Sequence, residues 1–185
     1  MFSNSSDDCV VTLNDIIVTL FNENHVIGGL GMKSLVAYFS ASGNTGALAA
    51  HLAKAADADL FRIEPVDPYT EADLRWTNPL ARCNREKIGK KDVPISGRVD
   101  TWDEYECVFI GFPVWYYGAP NIIETFVKSY DFTGKKVAFF ATSGGSDVTK
   151  VAGKLGPMMK CEIIGSQLFQ PDASVQALKK WVESL

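Results

Sequence analysis

The first 32 positions contain no Lys or Arg, although Asp7, Asp8, Asp15 and Glu23 fall there. A secretory leader begins with positive charge, so this stretch is not read as one. Histidine is scarce as well. His25 and His51 are the only two in 185 residues, too few imidazoles for a histidine-rich metal centre, and the scarcity argues against a serine-histidine hydrolase. Cysteine occurs four times, at Cys9, Cys83, Cys107 and Cys161, separated by 74, 24 and 54 positions, so no CxxC pair is available for a metal or a redox dithiol. Such isolated thiols are expected to stay reduced, as in a cytoplasm. No apolar run approaches the roughly 18 residues that cross a bilayer, so no membrane partner is expected. Two phosphate signatures are missing too. GxxxxGKS/T is absent, and GxGxxG does not follow the first predicted strand despite the string GGLGMKS at residues 28–34.

What is present is an ordinary soluble composition, 46% apolar and 22% charged, with enough chain for one domain and a sizeable core. Within residues 1–31, Val10, Leu13, Ile16, Ile17 and Leu20 recur at helical spacing, and Thr12 with Asp15 has the spacing of a capping box. A short amphipathic helix and a plain N-terminal extension before Met32 are both compatible with that pattern. The compact pattern begins at residue 33 and runs to 185. Removing the four N-terminal acids from the total of 22 leaves 18 Asp plus Glu against 18 Lys plus Arg for residues 33–185. A formally neutral domain has no net charge to offer a polyanion, so no nucleic-acid partner is expected.

Residues 34–39 (SLVAYF) form a short apolar run bounded by polar residues, the pattern of a strand buried on both faces. A helical stretch over residues 45–56 follows, with Leu48, Ala49, Leu52 and Ala56 on one side. Further strands are predicted at residues 60–63, 107–111, 136–142 and 163–168. Pro120 opens a helix at the position where a missing N–H costs nothing, with Ile122, Ile123, Phe126 and Val127 apolar. Residues 148–155 and 175–185 also read as helical, the latter with Val175, Leu178, Trp181, Val182 and Leu185 in a stripe. Strands alternating with helices predict an α/β fold: a doubly wound, five-stranded parallel sheet with helices on both faces. Ligands of such sheets bind beyond the carboxyl ends of the strands, where strand order reverses. Function is therefore expected in the loops after the first, third and fourth strands.

Those loops read SASGNT, FPVWYYGAP and TSGGSD, and none carries a charge before Asp147. A helix starting near Thr45 turns its first N–H groups towards the preceding loop, and the aligned peptide dipoles amount to roughly half a positive charge there. Ser40, Ser42, Asn44 and Thr45 add neutral donors, and Gly43 permits close approach or a positive φ. The same residue types also build an ordinary capped turn, so an anion site and a capped turn both fit this loop alone. Trp115, Tyr116 and Tyr117 are consistent with core packing or with a flat surface for a heteroaromatic ring. Thr142, Ser143, Gly144, Gly145 and Ser146 offer hydroxyls and backbone amides suited to a ring edge.

Taken in order, SASGNT, GFPVWYYGAP and FATSGGSD resemble the flavodoxin-like family in its short-chain form, over residues 33–185. The resemblance implies strand order 2-1-3-4-5 and a non-covalent FMN at the switch point. It implies that Ser40, Ser42, Gly43, Asn44 and Thr45 hold the phosphate. The isoalloxazine would lie between Pro113, Val114, Trp115, Tyr116, Gly118 and Ala119 on one side and Thr142, Ser143, Gly144, Gly145 and Asp147 on the other. No protein residue then acts as a covalent catalyst and no metal is required, because flavin N5 carries the hydride; Tyr116 and Tyr117 are candidates to hydrogen-bond an acceptor oxygen.

Three functions follow from that resemblance. One is an oxidoreductase passing electrons from NADH or NADPH through FMN to a quinone or similar small acceptor. Another is an electron carrier docking with a redox protein, and the third a cofactor-free binding module of the same fold. Carriers gain association rate from a strongly charged face, so the neutral domain favours the enzyme. Residues 67–101 form an unusually long polar segment in which Thr70 with Asp73 has the spacing to cap a short helix. Arg82, Arg85, Lys87, Lys90 and Lys91 give it a local positive excess. It reads either as a lid near the flavin that attracts a dinucleotide phosphate, or as a surface excursion or dimer contact; monomer and homodimer both stay open.

Overall fold

The computed structural model describes residues 32–143 and 148–185. The predicted extension at residues 1–31, and Gly144, Gly145 and Asp147 of the predicted site, lie outside the described residues. In chain order the elements are β1 (Ser34–Tyr38), α1 (Asn44–Ala56), β2 (Asp59–Arg62), β3 (Glu64–Pro65), α2 (Arg82–Gly89) and β4 (Ile95–Ser96). A 3₁₀ turn (Trp102–Glu104) then leads to β5 (Cys107–Pro113), α3 (Asn121–Ser129), β6 (Lys136–Thr142), α4 (Thr149–Met159), β7 (Glu162–Phe169) and α5 (Val175–Glu183).

Five strands make one sheet in the order β2-β1-β5-β6-β7, all pairs parallel. Numbered among themselves, these strands run 2-1-3-4-5, the expected order. β3 and β4, absent from the sequence reading, pair antiparallel as a separate two-stranded ribbon. Their pairing ties the start of the long polar segment to residues 95–96 within it.

Side-chain alternation along the strands builds two cores. Leu35, Ala37, Val108, Ile110, Phe112, Val137 and Phe139 face α3 and α4, whose Ile122, Phe126, Val151 and Leu155 cover them. The intervening Val36, Phe109, Ala138 and Phe140 face α1 and α5, meeting Leu48, Leu52, Leu178 and Trp181. That two-sided burial explains why the central strands read as continuous apolar runs. β2 and β7 are edges and mostly carry exposed or half-buried residues.

Within β5, Gly111 has a steric role. A Cβ there would lie 2.1 Å from the Phe140 ring, in a core where rings cannot shift without displacing α1 or α5. At Gly165 the clash would be with Leu185 Cδ2 at 2.4 Å, the far end of a flexible side chain at the C-terminus. Gly111→Ala is therefore expected to destabilise the domain by about 1–3 kcal/mol, the usual cost of overpacking, and Gly165→Ala by clearly less. Urea unfolding midpoints of the two variants measure the difference.

Candidate functional site

Register places three loops at one edge. Tyr38 pairs with Gly111, Gly111 with Phe140, and Pro113 with Thr142, so the chain leaves β1, β5 and β6 on the same side of the sheet. Beside this edge stands the N-terminus of α1. Its cap is Gly43 at φ 89°, with no side-chain cap hydrogen bond and no acidic residue in the first turn. The leading N–H groups of the helix have no intrahelical acceptor by construction. Ser42, Gly43 and Asn44 are exposed at this terminus.

Thr45 is buried, and its Oγ1 lies 2.8 Å from Thr142 Oγ1. One hydroxyl of this pair donates to the other, joining the first loop to the end of β6. Ser40 is also buried, and its Oγ has no hydrogen-bond partner among the described residues. A buried unsatisfied hydroxyl costs roughly 1–3 kcal/mol, so this one calls for a partner beyond the described residues.

The loop after β5 closes as a two-residue turn: Trp115 N donates to Gly118 O at 2.8 Å, and Gly118 N donates back to Trp115 O at 2.9 Å. Tyr116 and Tyr117 at its centre take left-handed φ values of 49° and 59°. This is the mirror-type turn that normally takes Asn or Gly. A non-glycine residue held there costs on the order of 1–3 kcal/mol, a strain that clusters at ligand sites. The turn projects Tyr116 and Tyr117 outwards, 42% and 81% exposed. Trp115 is held from behind, edge-on to Phe39 and to Tyr69, each with centroids 5.7 Å apart.

Residues 67–91 complete the wall. The Thr70 and Asp73 capping box forms, with Thr70 Oγ1 donating to Asp73 Oδ2 at 2.7 Å and Asp73 N to Thr70 Oγ1 at 3.3 Å. It closes a series of turns, however, and the helix of this segment is α2, further along. Of the predicted basic cluster, Arg82 pairs with Glu86 at 2.6 Å and lies over the Tyr69 ring at 4.3 Å. Tyr69 donates its hydroxyl to Glu86. Lys87 is half-buried and donates to Ala119 O at 3.1 Å; burial, then the nearby Lys154, lower its pKa. Arg85, Lys90 and Lys91 are exposed.

Together these parts enclose a cleft of about 420 Å³ lined by Ala41, Ser42, Leu74, Trp76, Cys83 and residues 114–117. Among the described residues, no charged side chain lines it. Burial, then the neighbouring Cys83, raise the pKa of Tyr116, so its hydroxyl stays protonated at neutral pH.

Among the residues expected at the site, Ser42, Val114, Trp115, Tyr116 and Tyr117 line this cleft. Ser40 borders a smaller cleft of about 240 Å³ on the β2 side. Pro113 ends β5, Gly118 closes the turn, Ala119 is buried, and Thr142 is buried against Thr45. Ser143 follows Thr142 and is half-buried. Leu74, Trp76 and Cys83 were not anticipated. A Trp inside a polar segment, 71% exposed in the fold, was the one available signal for them.

Residues 33–185 match the family model described as Flavodoxin. No curated protein matches. Among solved structures, inferred flavoproteins from Bacteroides eggerthii DSM 20697 and Bacteroides uniformis ATCC 8492 are each 37% identical with TM-score 0.76. The first pair covers 82% of this chain and 96% of that one, the second 83% and 99%. A flavoprotein from Lactobacillus acidophilus NCFM, solved in complex with FMN, shares the fold at 24% identity and TM-score 0.62, covering 81% of this chain and 98% of that one.

Replacing Thr142 with Val leaves the buried Thr45 hydroxyl without its partner. The variant is expected to lose about 1–3 kcal/mol, and the Thr45→Val, Thr142→Val double variant less than the sum of the single losses. Chemical denaturation of all three in the absence of added ligand checks this. With the fold and the family match in agreement, the chain belongs to the flavodoxin family.

Proposed function

We propose that the protein is an FMN-dependent oxidoreductase passing electrons from NADH or NADPH to a quinone or similar small acceptor. The carrying observation is one juxtaposition. An aromatic-walled cleft of about 420 Å³, with no charged side chain among its described lining residues, opens beside a helix N-terminus whose loop holds a buried hydroxyl with no partner among the described residues. The residues present fit FMN. Ser40, Ser42, Asn44, Thr45 and the first N–H groups of α1 supply neutral donors for a phosphate. Trp115, Tyr116 and Val114 supply a flat apolar surface for the ring, in a volume within the usual range for ligand pockets.

When bound, FMN supplies a ring that takes up and passes on hydride or single electrons. The chain's own work is binding and exclusion. The Trp115 turn and residues 74–83 shield one region of the cleft from water, and the absence of Lys or Arg in its lining leaves added negative charge on a ring unstabilised. A low redox potential is the direction this environment favours. Tyr117 presents its hydroxyl at the mouth, positioned for an acceptor oxygen, whereas the Tyr116 hydroxyl donates to Asn84 Oδ1. Arg75, Arg85, Lys90 and Lys91 are exposed on the segment that walls the cleft, which supports attraction of a dinucleotide phosphate over a purely structural excursion.

The purified protein is expected to be yellow, or to become yellow with added FMN; a sample colourless under both conditions returns the chain to a cofactor-free binding role. Ser42→Asp sets a negative charge at the exposed end of α1, and the FMN dissociation constant is expected to rise at least ~100-fold with little change in fold stability. Unchanged affinity, followed by flavin fluorescence quenching, places the phosphate elsewhere. Anaerobic mixing of the FMN-loaded protein with NADH or NADPH should bleach the flavin band. Failure with both donors favours a carrier reduced by a protein partner.

A further inference from the structure

Residues 74–79 carry no helix or strand, yet Leu74 and Trp76 form part of the cleft wall. Their position rests on α2. Cys83 N donates to Asp73 O at 3.1 Å, and the buried side chain of Asn84 reaches both ends of the following stretch. Its Nδ2 donates to Trp76 O at 2.9 Å and to Asn78 O at 2.7 Å. Across the cleft the same side chain accepts, through Oδ1, the hydroxyl proton of Tyr116. Every strong hydrogen-bonding position of this amide except one oxygen lone pair is used, and the pattern permits only one orientation of it. Turned over, Nδ2 would face the Tyr116 hydroxyl while Oδ1 faced two carbonyl oxygens.

We propose that Asn84 is a positioning residue, a latch that fixes the two jaws of the cleft against each other. One jaw is residues 74–79, with the Trp76 indole at the mouth. The other is the turn of Tyr116 and Tyr117, whose two left-handed tyrosines have only the Trp115 and Gly118 bonds to hold them locally. Asn84 touches neither ring surface of the cleft directly; Cys83, its neighbour on α2, does. The residue acts through Trp76 and Tyr116, setting the gap between them and so the thickness of the planar group the cleft accepts. The inference rests on the FMN reading for its ligand and on the protein alone for its geometry.

The two sides of the latch are separable. Tyr116→Phe removes only the bond to Oδ1. Asn84→Asp keeps an acceptor for Tyr116 but loses both donors, turning a carboxyl oxygen towards the carbonyls of Trp76 and Asn78. Asn84→Leu removes every one of these bonds while keeping the branched shape of the side chain, with bulkier ends. Without added FMN, hydrogen exchange of amides in both 74–79 and 115–118 is expected to accelerate at least ~10-fold in Asn84→Leu, while amides of β1 and β6 keep wild-type rates.

With FMN, all three variants are expected to weaken binding by at least ~10-fold and to alter the visible circular dichroism of the bound ring. The Tyr116→Phe, Asn84→Asp double variant should lose much less than the product of the single effects, because both act on one amide. Asn84→Asp should also recover affinity as the pH falls, since a protonated carboxyl regains one donor, whereas Asn84→Leu should not. Acceleration in only one of the two segments, or fully independent single effects, overturns the latch. If wild-type protein binds no FMN, the exchange experiment still decides the latch while the flavin reading fails; if wild type binds FMN and the variants match it, the latch fails alone.

Discussion

Parallel pairing of β1, β5 and β6 is the constraint on which the site depends. Parallel strands all run the same way, so the carboxyl ends of neighbours must emerge at one edge, and the residues that follow them become neighbours in space however far apart they lie in sequence. Here that brings Thr45 and Thr142, 97 positions apart, to within one hydrogen bond. The pairing needs room on both faces of the sheet. The missing side chain at Gly111 gives Phe140 that room, and alternate residues of each strand bury against helices on opposite sides.

A second constraint is polar satisfaction in a segment that lacks regular structure. Residues 67–81 have no ladder to satisfy their backbone, so turn bonds satisfy part of it and side chains add to them: Asp73 for Thr70, Arg82 for Asp67, Asn84 for Trp76 and Asn78. The C-terminal end of α2 is tied in turn to α3, where Asn121 donates to Glu86 O and Lys91 O. An excursion that is polar in sequence is thereby held as a wall, with Tyr69 packed against Trp115 as its apolar anchor. The strained turn of Tyr116 and Tyr117 is tolerable for the same reason, since it is held both by its own closing bonds and by α2.

Electrically, the cleft is defined by what it omits. A helix terminus and neutral hydroxyls attract an anion without putting a full positive charge beside whatever ring occupies the aromatic part. Cations are not absent from the surroundings; they are placed on the outer side of α2 and its flanks, or consumed internally as Arg82 is by Glu86 and Tyr69. That division keeps the exposed cations apart from the apolar interior.

The fold was legible because burial on both faces writes itself as short apolar runs, and the α1 and α5 stripes at helical period need no tertiary information. The donor-rich loop at residues 40–45 and the aromatic run at residues 115–117 were legible for a similar reason: unusual residue types stood directly after predicted strands. Leu74, Cys83 and Asn84 were not, because a polar segment held by side-chain-to-backbone bonds has no periodicity to read. The ribbon of β3 and β4, at two residues each, is too short to leave a pattern. Sequence alone determined the order of the five sheet strands and of the four helices that cover them, the edge on which the loops gather and the residue types of those loops, all consequences of local period and strand direction. Only the tertiary structure decided that residues 67–91 form one wall of the cleft and that a single buried amide joins both its jaws, because those contacts link groups whose separation along the chain carries no signal.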